Sequence, residues 1–237
     1  MYIQAIYKLW ARYYDDFNGW FSNWKGIRQA EVALEHALTT NLQTDSRILD
    51  LGCGTGYNVD RIARLGLPFA DYRGLDLSEH MLEAARKKHG DRPDVHFDTI
   101  RLDSDALPEG EYDVVLSTWV FSHLAEPERL VQGIMERLKP GGLLLATFKA
   151  ERNWLVDTLL WPCYKMYHAL PVRRSSVARF PNMIRIERFW GGWATFIVCQ
   201  RPLDPQPDLT VSIESQPAAV QSVEALPVRL TGQFAQG

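Results

Sequence analysis

Cysteine is scarce in this chain. Only Cys53, Cys163 and Cys199 occur among 237 residues, far apart and without CxxC spacing. That excludes a disulfide framework and a zinc ribbon, and it reads as reduced thiols in a cytoplasmic protein with no metal site. Long apolar runs are also missing, and nothing approaches the roughly 18 residues that cross a bilayer. The opening "MYIQAIYKLWARYYDDF" is broken by Gln4, Lys8 and Arg12, then Asp15 and Asp16. It has no clean apolar stretch followed by a small-residue cleavage site, so it is not read as a secretion signal. Basic charge is not in excess. The formal net charge is -3, and no basic stripe invites nucleic acid. There is no internal repeat.

What is present is a core. Hydrophobic residues make up 46% of the chain, which rules out a disordered polymer. The N-terminus reads as an amphipathic helix over roughly 2–17, with Ile3, Ile6, Tyr7, Trp10 and Tyr14 on one stripe. A second helix is expected over about 26–41. Then apolar strands alternate with helix-length segments. "RILDLG", "YRGLDLS", "VHFDTIRL", "YDVVLSTWV" and "LLLATF" are the strands. Between them stand "NVDRIARLG", "EHMLEAARKKHG" with Ser78 as its N-cap, and "PERLVQGIMERL" closed by "KPGG". Such alternation predicts an α/β fold with a doubly wound parallel sheet. "MIRIERFW" and "WATFIVCQ", joined by Gly191-Gly192, predict a closing antiparallel hairpin.

Three stretches outside this pattern complete the expected organisation. Residues 1–45 form an N-terminal helical cap, and 46–201 the α/β domain with a cap insertion near 152–180. Residues 202–237, with prolines scattered among Gln, Ser, Ala and Val, read as a flexible tail.

The chemistry is concentrated in "ILDLGCGTGYN", Ile48 to Asn58. A glycine-rich turn between a first strand and a helix lets a ligand approach the backbone closely. The spacing is Gly52-x-Gly54-x-Gly56, whereas a dinucleotide site requires G-x-G-x-x-G or Ala. Tyr57 occupies the last position, and Arg61 further along is not small either. A nucleoside bearing an amino-acid tail therefore fits better than a pyrophosphate. Asp76, at the end of the second strand, can accept both hydroxyls of a ribose.

In order and spacing, "ILDLGCGTGYN", "GLDLS", "LDSDALP", "YDVVLSTWVFSHL" and "LKPGG" resemble the motifs of class I S-adenosylmethionine-dependent methyltransferases. The resemblance is close over about 46–149. It implies a Rossmann-like seven-stranded sheet in the order 3-2-1-4-5-7-6 with strand 7 antiparallel, and S-adenosyl-L-methionine as cofactor. It assigns the amino-acid end of the cofactor to Asp50 and the backbone of Gly52 and Gly54, with Cys53 and Gly56 in the same turn. The ribose falls to Asp76, and the adenine to Leu77, Met81, Asp103 and Ser104, with Asp105 as a rival acid. Ser117, Thr118 and Trp119 would line the donor sulfur and the acceptor cavity. His123 is the candidate general base, or else a histidine that packs beneath the cofactor.

Two aromatic regions flank the motifs. "WARYYDDFNGWFSNW" contains Tyr14 and Trp20, and "NWLVDTLLWPCYKMYHALP" contains Trp154. In the family these regions cap the active site, so Tyr14, Trp20, Trp119 and Trp154 are the expected acceptor contacts. An aromatic cap suits an apolar or aromatic small molecule or a lipid-like acceptor. The amphipathic N-terminus leaves a peripheral membrane contact open. A nucleic-acid acceptor is not expected, because "STWVFSHL" stands where base methylation often places Asn-Pro-Pro-Tyr. Three alternatives stay open: a non-catalytic regulatory protein on the same fold, an acceptor that is a protein, and a nicotinamide enzyme. Oligomeric state is not legible.

Overall fold

The computed structural model describes residues 25–204, apart from 153–154, 156 and 159–169. The expected first helix, the middle of the cap insertion and residues 205–237 lie outside the described residues.

The described residues open with α1, Lys25–Asn41. Its Ile27, Ala30, Leu34 and Leu38 recur at three- and four-residue spacing and are fully buried. Then come β1 (Arg47–Leu51), α2 (Tyr57–Arg64), β2 (Asp71–Asp76), α3 (Glu79–His89) and β3 (Val95–Thr99). β4 (Tyr112–Thr118) leads through a 3-10 turn at Phe121–His123 into α4 (Pro127–Arg137) and β5 (Leu138–Phe148). A short helical turn α5 (Arg174–Val177) precedes β6 (Met183–Phe189) and β7 (Ala194–Gln200).

The seven strands order as β3-β2-β1-β4-β5-β7-β6. β1 to β5 run parallel, and β7 is antiparallel to both β5 and β6. This is the expected Rossmann-like order. Side chains alternate between two covered faces, which is why the strands read as unbroken apolar runs. Leu49, Leu51, Val115, Leu144 and Ala146 pack with Leu130, Val131 and Ile134 of α4. Ile48, Val114, Leu116, Leu143 and Leu145 pack with Leu34 and Leu38 of α1, Ile62 of α2 and Leu82 of α3. The order reverses between β2 and β4 around β1, so a crevice opens beyond the carboxyl end of β1.

Three local expectations need correction. "KPGG" does not end a helix outside the sheet; it belongs to β5, where the register with β4 shifts between Tyr112 and Val114. A Cβ on Gly142 would stand 2.9–3.2 Å from the backbone oxygens of Lys139, Tyr112 and Asp113, so only glycine lets the strands close at this irregularity. β3 stops at Thr99 rather than running to Leu102. Ser78 holds the N-cap position of α3, but its hydroxyl makes no capping bond.

Candidate active site

β1 delivers Asp50 and then breaks into the glycine turn. Gly52 and Cys53 both donate their N–H to the Leu75 carbonyl, at 2.7 and 3.0 Å. The turn is thereby tied to the end of β2. Gly52, Gly54 and Gly56 have φ of 75°, 55° and 80°. This left-handed backbone disfavours side chains. At Gly52 sterics add to it, because a Cβ would fall 2.1 Å from Val120 Cγ2. Gly52→Ala is expected to lower the unfolding free energy by about 1–3 kcal/mol, read from the urea midpoint.

Asp50 is fully buried. Its Oδ2 accepts bonds from the Tyr72 hydroxyl and from Asn58 Nδ2, the latter at 2.9 Å. Its Oδ1 is buried and has no partner. Burial pushes the carboxyl from 3.8 up to about 6, against the pull of the Tyr72 and Asn58 hydrogen bonds. Between roughly pH 4 and pH 6 the folded chain holds a proton here that the unfolded chain has released. Stability from this group is therefore present below pH 4 and lost as pH rises through 6. The loss is about 3 kcal/mol, at roughly 1.4 kcal/mol for each pH unit between the two values. Asp50→Asn should flatten that slope in denaturant titrations at pH 4, 5, 6 and 7.

At the end of β2, Asp76 Oδ2 accepts the Gly54 N–H at 2.9 Å and Oδ1 the Ser78 N–H at 2.8 Å. Each oxygen keeps a second lone pair. Burial raises this carboxyl too, opposed by those backbone bonds. Leu77 beside it is 42% exposed, whereas Met81 is packed inside α3. Asp103 and Ser104 lie exposed in the loop after β3. The rival Asp105 is committed to that loop. It accepts the Arg101 N–H at 2.8 Å and the Ser104 hydroxyl at 3.0 Å, which pull its pKa down.

β4 ends against the same turn. Ser117 is buried with its hydroxyl unpartnered. Thr118 Oγ1 lies 3.3 Å from Asn58 Nδ2. Trp119 has φ 63° and donates its backbone N–H to Thr147 O at 2.7 Å. Its ring stands 6.5 Å from that of Trp193, which meets Trp190 edge-on at 5.5 Å. His123 is exposed at the end of the 3-10 turn. The Cys53 thiol is buried, and burial pushes its pKa well up. It is therefore not a thiolate nucleophile. Asp50, Asp76, the three glycines and the Thr118–Trp119 corner are thus brought together. Tyr14, Trp20 and Trp154 lie outside the described residues.

The residue pattern did not single out a polar network behind the turn. Glu31 of α1 and Arg61 of α2 are each 3% exposed and form an ion pair. Arg61 also donates to Asn58 Oδ1, and Trp119 Nε1 donates to Glu31 Oε1 at 2.9 Å. Burial draws the Arg61 guanidinium down to about 9, still charged at neutral pH. The missed signal was positional: Glu31 falls on the apolar stripe of α1, between Ile27 and Leu34.

Residues 49–144 match the family described as Methyltransferase domain. Over these residues the chain is similar to methyltransferase domains. It is 33% identical over 131 residues to the malonyl-[acyl-carrier protein] O-methyltransferase of Halalkalibacterium halodurans, covering 51% of this chain and 48% of that protein. It is 30% identical over 130 residues to the ubiquinone biosynthesis O-methyltransferase of Shewanella pealeana, with 53% of each covered. The chain thus spans about half the length of these curated relatives. Among solved structures, the methyltransferase fold is shared with the magnesium protoporphyrin IX methyltransferase of Synechocystis PCC 6803, solved with SAH bound. The TM-score is 0.56 at 16% identity, over 73% of this chain and 82% of that one. No helix among the described residues is long and apolar enough to cross a membrane.

Proposed function

We propose that this chain transfers a methyl group from S-adenosyl-L-methionine to an apolar or aromatic small molecule or lipid-like acceptor. The observation that carries the cofactor is Asp50 Oδ1, a buried carboxylate oxygen without a partner beside the glycine turn. A carboxylate so placed calls for a cationic donor. The ammonium of an amino-acid tail fits; a pyrophosphate does not.

Asp50 and the backbone of Gly52 and Gly54 would hold the amino-acid end. Cys53 and Gly56 complete the turn, and Asp76 would take the ribose hydroxyls through its remaining lone pairs. Asp103, free of the loop bonds that occupy Asp105, would accept from the adenine amino group near Ser104, Leu77 and Met81. When bound, the cofactor supplies a methyl group on a sulfonium, activated because its leaving group is a neutral thioether. The chain's own task is then orientation. Ser117, Thr118 and Trp119 would fix donor and acceptor in line and keep water out, an effect worth on the order of 7–11 kcal/mol. For an acceptor that arrives protonated, His123 is the group we assign to take the proton, worth roughly 10²–10⁴-fold. The aromatic segments with Tyr14, Trp20 and Trp154 would cap the acceptor, within the proposed division at 1–45, 46–201 and 202–237.

Labelled-methyl cofactor incubated with the chain and a fractionated cell extract tests this reading. Label should pass to the organic-soluble fraction. Label in the protein fraction would replace the acceptor class, and no transfer despite cofactor binding would remove the enzymatic reading.

A further inference from the structure

We infer that Glu31 is a positioning residue that holds Trp119 in its pose and ties that pose to occupancy of the turn beside Asp50. The meaning of the two sides, donor and acceptor, rests on the proposed methyl transfer; the bond between Glu31 and Trp119 does not.

Trp119 is the first residue beyond β4, where the strand bends over Gly52. Its φ of 63° is one that a bulky side chain adopts only when surrounding contacts hold it there. One such contact is the indole bond from Nε1 to Glu31 Oε1, at 2.9 Å. Glu31 sits on the buried stripe of α1 at 3% exposure, where an aliphatic residue would pack without desolvation cost. Its second oxygen takes Arg61. From there the chain of bonds runs through Asn58 to Asp50 Oδ2, whose other oxygen is the unpartnered one. Glu31, Arg61, Asn58 and Asp50 are all buried, so each bond polarises the next in a low-dielectric surrounding. A cation arriving at Asp50 Oδ1 competes for the carboxylate that holds Asn58. The Asn58 amide in turn holds Arg61, and Arg61 shares Glu31 with the indole. Glu31 touches neither ligand and acts only through Trp119.

The test is nitrogen-15 NMR of the indole N–H groups in the full chain, with S-adenosylhomocysteine as the probe. Trp119→Phe identifies the Trp119 signal. The comparison variant is Glu31→Leu/Arg61→Met, which removes the acceptor and the charge it balances while keeping apolar volume. In the native chain the Trp119 indole proton should exchange slowly with water, and its signal should move when the probe is added. In the double variant exchange should be about tenfold faster, the value of one hydrogen bond to a charged acceptor. The probe should still bind but move the Trp119 signal less than in the native chain. Equal exchange in both chains, or a Trp119 shift as large in the variant as in the native chain, overturns the inference. Should the variant not fold, the native chain decides alone. There a Trp119 proton exchanging as fast as that of a free indole in water overturns it. Failure of the native chain to bind the probe in calorimetry would sink the functional reading, while the exchange rates would still decide the Glu31–Trp119 bond.

Discussion

Glu31→Ala is expected to lower the unfolding free energy by about 3–5 kcal/mol. The substitution leaves the Arg61 charge at 3% exposure without its ion pair and strips the indole N–H of Trp119 of its acceptor. Glu35, whose Oε1 lies 3.9 Å from Arg61 Nε, softens the loss without abolishing it. The reason is desolvation, not the strength of the pair: a buried cation without a partner costs far more than the pair contributes. Glu31→Leu/Arg61→Met should therefore recover most of the loss. Arg64 offers the contrast. It also pairs with Glu35, at 2.7 Å, but its side chain is 55% exposed, so Arg64→Ala should cost under about 1 kcal/mol. Urea midpoints at constant slope measure all three. A Glu31→Ala loss as small as that of Arg64→Ala would show that the network carries no such charge.

Asp76→Ala is expected to weaken S-adenosylhomocysteine binding by about 100-fold or more. Two hydrogen bonds to a charged acceptor are removed at once, each worth roughly 1.5–3 kcal/mol. The change also frees the Gly54 and Ser78 N–H groups that now shape the turn. Asp105→Ala should leave affinity within about twofold, because its carboxylate serves the Arg101–Ser104 loop. Asp103→Ala should cost about tenfold, the value of one such bond. Calorimetric titration separates the three. Equal effects of Asp103→Ala and Asp105→Ala would return the choice between the two acids to the open.

Much of this was legible in the residues because it is written in local chemistry. The buried strands announce themselves as runs such as "YDVVLSTWV", since both faces of a parallel sheet are covered. Gly191-Gly192 announces the closing hairpin, and the spacing of Gly52, Gly54 and Gly56 the ligand turn. Most of the misses depended on contacts distant in sequence. Nothing near Gly142 says that three backbone oxygens of two strands stand where a Cβ would go. Ser78 looks like a cap, yet its N–H goes to Asp76 and its hydroxyl makes no capping bond. Arg61 is too large for the small position of a dinucleotide site. Its larger role, as the partner of a glutamate 30 positions earlier, needs the fold. Trp193 reaches the site only because β7 folds back beside β5.

The most direct test is a crystal structure of this chain grown with S-adenosylhomocysteine. The account predicts the ligand's ammonium within hydrogen-bonding distance of Asp50 Oδ1 and its ribose hydroxyls on the Asp76 carboxylate. A ligand seated elsewhere, or an Asp50 Oδ1 satisfied by the protein itself with the turn closed over it, would contradict it.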